Sequence, residues 1–154
     1  MVAKNLATKV PFLNRQQNDG RDEEFLGKIG HALIAVCQVN GDYIFSHGDM
    51  AEEMYFIKSG TVDIRVESKV VASLKEGDFF GELALIANIP RTATAQATAT
   101  CILYKLTRES LMQILQEFED VRAQIDMTYN ERFLRFKNEE LGRRESVERV
   151  MRNI

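Results

Sequence analysis

The chain has 154 residues, 28% of them charged, with a formal net charge of −3. This length suits one domain with a moderate core and helices at its flanks. The slightly acidic balance argues against a nucleic-acid-binding surface, because contact with backbone phosphates normally requires a basic excess or patch. No apolar run approaches the roughly 18 residues of a membrane span, so we expect no direct membrane insertion of this fragment.

The N-terminal segment is predicted to contain helices separated by a loop. Residues 5–10 are typical of the end of a helix, which Pro11 stops because proline cannot continue the hydrogen-bond ladder. Residues 14–21 are polar and contain Asn-Asp-Gly, which indicates a loop. Asp22 can then cap a second helix. The apolar residues of that helix recur at helical spacing, namely Phe25, Leu26, Ile29 and Leu33.

Short strands separated by turns dominate the middle of the chain. Turn signals containing glycine lie at residues 40–42 and 47–49, and residues 67–69 are predicted to form the tip of a hairpin. The predicted strands are 36–39, 43–45, 54–57, 61–66, 70–74, 92–98 and 101–106. Seven or eight short strands with turns at regular spacing indicate an antiparallel barrel or roll.

Helical patterns return after the strands. Thr107 is predicted to cap a helix with Leu111, Ile114, Leu115 and Phe118 on one face. A second helical stretch runs from about residue 121 to the end of the sequence. Its last part is mostly Glu, Arg and Asn, which is typical of a solvated face.

The cysteines and histidines indicate no special chemistry. Cys37 and Cys101 lie in strand-like apolar segments and form no CxxC pair, so we expect reduced core thiols, as in a cytosolic protein. His31 and His47 are isolated, so we predict no metal site. No catalytic triad or carboxylate pair of defined spacing is visible, and we therefore predict a protein that is not an enzyme.

The residues with the clearest chemical pattern are 79–86 (FFGELALI) and 90–92 (PRT). Glu82 opens a short helix that must end near Pro90. Because a helix N-terminus carries unpaired N–H groups and partial positive charge, this helix beside Arg91 predicts an anion site. Glu82 would repel an anion unless it bound a hydroxyl of the same ligand. An anion that carries a sugar hydroxyl is the simplest ligand that uses all three features.

Residues 80–85 and 90–94 closely resemble the phosphate-binding cassette of cyclic nucleotide-binding domains. Residues 41–45, 54–60 and 76–82 resemble the roll segments of this family, in the same order. The resemblance implies a mainly β fold with flanking helices (α+β), built on an antiparallel β-roll of jelly-roll type. It also implies N-terminal helices, a short phosphate-binding helix and C-terminal lid helices. The ligand would be cAMP or cGMP, and no other cofactor is implied.

Two segments resemble a particular branch of the family. Residues 4–13 resemble the end of the C-linker in cyclic-nucleotide-regulated ion channels, and residues 101–106 resemble the hyperpolarisation-activated and cyclic-nucleotide-gated group. We therefore expect a C-linker-like segment at 1–13, the binding domain at 14–138 and a charged helical extension at 139–154. The expected partner is the rest of a channel or transporter polypeptide, and a tetramer is one assembly that this resemblance allows. The domain would lie in the cytoplasm as part of a membrane protein.

Two other classes of protein contain such domains. The cassette interior is equally similar to regulatory subunits of cyclic-nucleotide-dependent kinases, so a kinase fragment or another soluble signalling protein is the alternative. Such a subunit should also carry a pseudosubstrate site and a second cassette, and neither is found in these residues. A transcription regulator of the catabolite-activator type would need a helix-turn-helix motif after the long helix, which the sequence does not show.

The resemblance assigns roles to the cassette residues. Arg91 would pair its guanidinium with the cyclic phosphate in a bidentate manner, for which Arg is better shaped than Lys. Glu82 would accept a hydrogen bond from the ribose 2′-hydroxyl. Gly81 would permit close approach of the backbone, and the N–H groups of Leu83 and Ala84 would face the phosphate oxygens.

The remaining predicted contacts concern the base. By the same resemblance, Thr92 would contact the phosphate and the guanine of syn cGMP. Ile64 and Leu74 match roll positions that pack on the purine, although both are equally well explained as ordinary core residues. Arg132 and Phe136 match positions at which the channel group closes a C-terminal helix over the base.

Overall fold

The computed structural model describes residues 13–15 and 17–129 of the chain. Within these residues, eight strands form two four-stranded antiparallel sheets flanked by helices. The strands are β1 (Ile34–Gln38), β2 (Tyr43–Phe45), β3 (Glu53–Ser59), β4 (Val62–Val66), β5 (Lys69–Leu74), β6 (Phe79–Phe80), β7 (Thr94–Ala97) and β8 (Cys101–Thr107). The helices are α1 (Asp22–Ala32), α2 (Glu82–Ala87), α3 (Arg108–Glu117) and α4, described over residues 119–129. This architecture confirms the predicted β-roll with flanking helices.

The strand order shows how the chain passes between the two sheets. One sheet has the order β1-β8-β3-β6 and the other β2-β7-β4-β5. Glu67 and Ser68 take positive φ angles of 52° and 68° in the tight turn between β4 and β5, as expected for the predicted hairpin. The turn at residues 40–42 instead leads from one sheet to the other. Its end is fixed by β7, because the N–H of Gly41 donates to the carbonyl of Ala97 at 2.8 Å.

Strand β3 is buried on both faces and separates the two parts of the core. Side chains alternate along a strand, so Met54 and Phe56 face the helices while Tyr55 and Ile57 face the opposite sheet. All four are at most 4% exposed. This explains why the segment is continuously apolar rather than alternating. Within the described part of the chain, no helix combines the length and the apolar character that crossing a membrane requires.

Among the predicted boundaries, the start of β7 was wrong for an identifiable reason. Strand β7 begins at Thr94 rather than at residue 92, because Arg91 is engaged by a different segment. The N–H of Arg91 donates to the carbonyl of Asp49, and its carbonyl accepts from the N–H of Gly48, both at 2.8 Å. Residues 92 and 93 form the bend between these bonds and the strand. Helix α4 begins at residue 119, earlier than predicted.

Two predictions about single side chains were also wrong. Cys37 is exposed, because β1 lies at a sheet edge and alternation turns this residue away from the core side occupied by Val36. Cys101 is buried as expected, and its thiol lies 3.2 Å from the carbonyl of Thr61. Asp22 does not cap α1. The N-cap residue is Arg21, which makes no capping bond through its side chain.

Asp22 instead belongs to a charge cluster around Arg15, whose side chain is only 3% exposed. The guanidinium donates to Asp19 and Asp22 at 2.7 and 2.8 Å, and to Asp120 at the start of α4 at 2.9 Å. It also lies 5.2 Å from the centre of the Phe118 ring. Arg15, in the loop predicted only as polar, thus connects this loop with both α1 and α4.

Asp19 makes this cluster sensitive to acid. Its pKa is lowered far below the ordinary value, chiefly by the hydrogen bond from Arg15. A depressed pKa contributes stability above the unfolded-state value of about 4, and this contribution is lost as the pH falls toward the folded-state value. We therefore expect Asp19→Asn to lower the melting temperature at pH 7. The difference from the wild type should shrink at pH 3, as measured by circular dichroism.

A matched change at an exposed ion pair provides the control. Asp126 lies 3.9 Å from Arg122, and both side chains are more than half exposed. Exposed pairs contribute little, so Asp126→Asn should have little effect at either pH. An effect of Asp19→Asn that is equal at both pH values would contradict the role of charge.

Candidate ligand-binding site

A cavity of about 240 Å³ opens where β2, β4, β6, α2 and the residues before β7 meet. Seven residues predicted to bind ligand line it: Ile64, Gly81, Glu82, Leu83, Ala84, Arg91 and Thr92. Phe45, Phe79, Phe80 and Ala93 complete the lining, and the sequence analysis had assigned no ligand contact to any of them. The cassette residues and one roll residue therefore surround a common space.

The other predicted contacts lie elsewhere or outside the described residues. Leu74 is partly buried and packs against the core between the sheets rather than lining the cavity. Its contact with a base remains a prediction. Arg132 and Phe136 lie outside the described residues, as do the segment at 1–12 and the extension at 139–154.

Helix α2 is short, and its start faces the cavity. Its N-cap is Gly81, with φ of 85°, and the first residue is Glu82. A glycine offers no side chain to satisfy the first backbone N–H groups of a helix, so these groups need another acceptor. The helix ends at Asn88, which also has a left-handed conformation and donates its N–H to the carbonyl of Ala84. The predicted stop before Pro90 is thus confirmed.

Arg91 is buried at the base of the cavity and is 4% exposed. Its Nη1 donates to the carbonyl of Gly81 at 2.6 Å, and its Nη2 donates to the carbonyl of Glu53. Its Nε is buried without a hydrogen-bond partner. Burial lowers the pKa of the guanidinium from its usual value. A buried cationic donor without a partner is costly, so an acceptor at this position would be stabilised.

Backbone contacts fix the main chain of Arg91. The backbone of Arg91 makes two hydrogen bonds, to residues 48 and 49, and the preceding Pro90 forms an isolated bridge with Met50. The side chain of Asp49 accepts from the N–H of Ser46 at 2.9 Å and so closes this loop on itself. The guanidinium is therefore presented from a segment held at several points.

Aromatic rings lie behind the guanidinium. The ring of Phe45 is 4.0 Å from Arg91 Cζ and 5.9 Å from the ring of Phe80. Tyr55 stacks on Phe80 at 5.3 Å and donates its hydroxyl proton to the Glu53 carboxylate at 2.7 Å. Burial is the main reason that the pKa of Tyr55 is raised well above its usual value. The strand pattern had predicted β2 but carried no signal for the contact of Phe45 with Arg91.

Fold and site together define a small β-roll module in which a buried cation and a helix N-terminus lie beside one cavity. The model of the cyclic nucleotide-binding domain matches residues 39–118, just over half of the chain. The chain therefore belongs to the cyclic nucleotide-binding domain family. Domains of this family are regulatory rather than catalytic, which agrees with the prediction for this chain.

Curated relatives include both kinase subunits and channels. The cAMP-dependent protein kinase regulatory subunit of Debaryomyces hansenii is 34% identical over 68% of this chain and 23% of the relative. The potassium/sodium hyperpolarization-activated cyclic nucleotide-gated channel 2 of Mus musculus is 30% identical over 70% of this chain and 12% of the relative. The chain thus spans about a quarter or less of the length of these relatives.

A solved structure described as "Sp-2Cl-cAMPS bound to PKAR CBD2" is similar to most of this chain. The two chains align with a TM-score of 0.62 and 25% identity, over 82% of this chain and 83% of the other. This likeness and the family match agree on a β-roll with helices. They support the resemblance stated from the cassette residues, while relatives of both the kinase and the channel branch are found among the curated proteins.

The close approach of Gly81 to Arg91 can be tested separately from the strain of a positive φ angle. A Cβ at Gly81 would lie 2.8 Å from Arg91 Nη1, whereas a Cβ at Gly41, also with positive φ, would meet nothing within 4 Å. Ala at either position should cost about 1–2 kcal/mol of unfolding free energy, measured with urea. Gly81→Ala alone should also weaken cyclic nucleotide binding about tenfold or more, since displacing the guanidinium disturbs charge-assisted hydrogen bonds. Equal loss of affinity in both variants would contradict this account.

Proposed function

We propose that the domain binds cAMP or cGMP in the cavity beside α2. The observation that carries the proposal is the buried Arg91, whose Nε has no partner at the edge of a cavity that also receives the start of a helix. A cyclic phosphate would supply an acceptor for the guanidinium and for the helix N–H groups at once. The match to the family supports this choice over a simple anion.

In this proposal the cassette residues bind different parts of the ligand. The N–H groups of Leu83 and Ala84 bind phosphate oxygens, and Glu82 accepts a hydrogen bond from the ribose 2′-hydroxyl. Thr92 lies in the bend beside Arg91, where its hydroxyl contacts the phosphate and, in syn cGMP, the guanine. These roles are carried by the resemblance, and the shared position of the four residues around one cavity supports them.

The base is covered from two sides in this proposal. Ile64 lines the cavity from β4, and Leu74, on the neighbouring strand β5, would contact the base beyond the cavity lining. Arg132 and Phe136 contact the base when the C-terminal helix closes over it. A ligand shifts a conformational equilibrium only by its differential affinity for the two states, so these two contacts must form mainly in the closed state.

The closure would act on an effector through the helices at both ends of the domain. Our first proposal for the effector is a channel or transporter to which the domain belongs as a cytoplasmic part. A kinase catalytic subunit is the second candidate, favoured by identities of 34% and 36% to two kinase regulatory subunits. Tetramer formation on addition of nucleotide would favour the first effector. Inhibition of a kinase catalytic subunit that cAMP relieves would favour the second.

Removing the guanidinium tests the binding site directly. Arg91→Ala should weaken binding of cAMP and cGMP by about 30-fold to several thousand-fold, because loss of one partner of a buried charge pair costs about 2–5 kcal/mol. Isothermal titration calorimetry with both nucleotides measures the effect. Absence of heat from both nucleotides with the wild type, under conditions in which it is folded, would overturn the proposed function.

The closing helix is tested with Phe136→Ala. Movement of α4 against β5 can be followed by energy transfer between fluorophores attached to cysteines at positions 127 and 71. The native residues, Met127 and Val71, are 74% and 60% exposed. The exposed Cys37 is replaced by serine so that it is not labelled. At saturating nucleotide, Phe136→Ala should reduce the change in energy transfer more than it reduces phosphate docking. Arg91→Ala is the matched control, since it should weaken docking but keep the full change at saturation. Parallel losses of response and docking in Phe136→Ala would reject the closing role.

A further inference from the structure

The guanidinium of Arg91 is held over an aromatic ring. Arg91 Cζ lies 4.0 Å from the centre of the Phe45 ring, and both residues line the cavity. A cation over a ring face is attracted by the quadrupole of the ring, more strongly when both are removed from water. Arg91 is 4% exposed, so this contact lies in the stronger part of that range.

The ring itself is fixed by two further aromatic residues. Phe45 lies 6.2 Å from Tyr55 and 5.9 Å from Phe80, and those two rings stack on each other with an interplanar angle of 16°. Tyr55 and Phe80 are at most 5% exposed and belong to neighbouring strands of the other sheet. The position of Phe45 is therefore determined by the packing between the two sheets rather than by the cavity.

Carbonyl groups hold the edge of the same guanidinium. Gly81 accepts from Nη1 and Glu53 accepts from Nη2, while the Glu53 carboxylate accepts from Tyr55 at 2.7 Å. The two amino groups are thus oriented by backbone, Cζ lies over the Phe45 ring, and Nε is the nitrogen left without a partner. The carbonyls and the ring together restrict the orientation of the group.

We propose that Phe45 is a positioning residue, which holds the guanidinium of Arg91 in the orientation that presents its unpartnered Nε–H to the cyclic phosphate. This inference rests on the proposed function. Without the ring, the guanidinium could tilt about its Cγ–Cδ and Cδ–Nε bonds, and correct orientation would have to be established during binding. Leucine would fill much of the same space but would offer no ring face, whereas tyrosine would retain the face.

Binding measurements test the functional part. Phe45→Leu should weaken cAMP binding about two- to thirtyfold in calorimetry, and Phe45→Tyr should restore most of the loss. Tyr43→Leu is the matched control, because it removes a ring from the same strand. Tyr43 is 63% exposed and does not line the cavity. We expect this control to bind like the wild type.

A double-mutant cycle separates positioning of Arg91 from pocket shape. In an Arg91→Gln background, titrated by NMR at millimolar cAMP, the penalty of Phe45→Leu should fall to less than about twofold. A penalty that is the same in both backgrounds, or no penalty in the wild-type background, would overturn the proposal.

A second measurement needs no ligand. The side-chain Nε–H signal of Arg91, assigned by its loss in Arg91→Gln, should be shifted upfield by the ring and should exchange slowly with water. Phe45→Leu should move this signal downfield and speed its exchange, while Tyr43→Leu should change neither. An unchanged signal in Phe45→Leu would overturn the proposed contact. If the wild type binds neither nucleotide, the proposed function fails, and this measurement alone decides whether Phe45 holds Arg91.

Discussion

The site depends on the removal of one cation from water. Arg91 is nearly fully buried, and its two amino groups are satisfied by the carbonyls of Gly81 and Glu53. This arrangement brings together the residue before α2, the start of β3 and the segment before β7, which are far apart in the sequence. It also leaves no room for a side chain at residue 81, where a Cβ would lie 2.8 Å from Nη1. The contacts that stabilise the buried guanidinium thus also fix its place beside the cavity.

Strand β3 joins this site to the rest of the fold. It is buried on both faces, so it contributes to the core under the helices and to the core between the sheets. Its first residue, Glu53, supplies the carbonyl for Arg91, and Tyr55 supports the ring cluster that includes Phe45. The orientation of the guanidinium is therefore linked to the most buried strand, and a rigid element carries the site.

Local signals in the sequence were sufficient for the cassette and most elements. Glycines, the Pro90 stop and the Thr107 cap act within a few residues, and the cap is confirmed by the bond from the Ser110 N–H at 3.2 Å. Contacts across long stretches could not be predicted this way. Phe45 reaches Arg91 through pairing of β2 with β7, and Arg15 reaches Asp120 across 105 positions. Pattern alone also cannot tell an edge strand from a central one, which is why the exposure of Cys37 was missed.

The charge cluster around Arg15 limits how a closing movement can occur. Phe118, with non-helical angles of −128° and 71°, separates α3 from α4 and is fully buried against Phe25. Just beyond it, Asp120 is bonded to Arg15, and Val121 packs into the core. Movement of the whole of α4 toward the base would have to separate these contacts, whereas bending beyond the first turn would preserve them. A ligand can shift the equilibrium only by its differential affinity for the two states. Bending beyond the first turn of α4 therefore requires a smaller difference in affinity than movement of the whole helix.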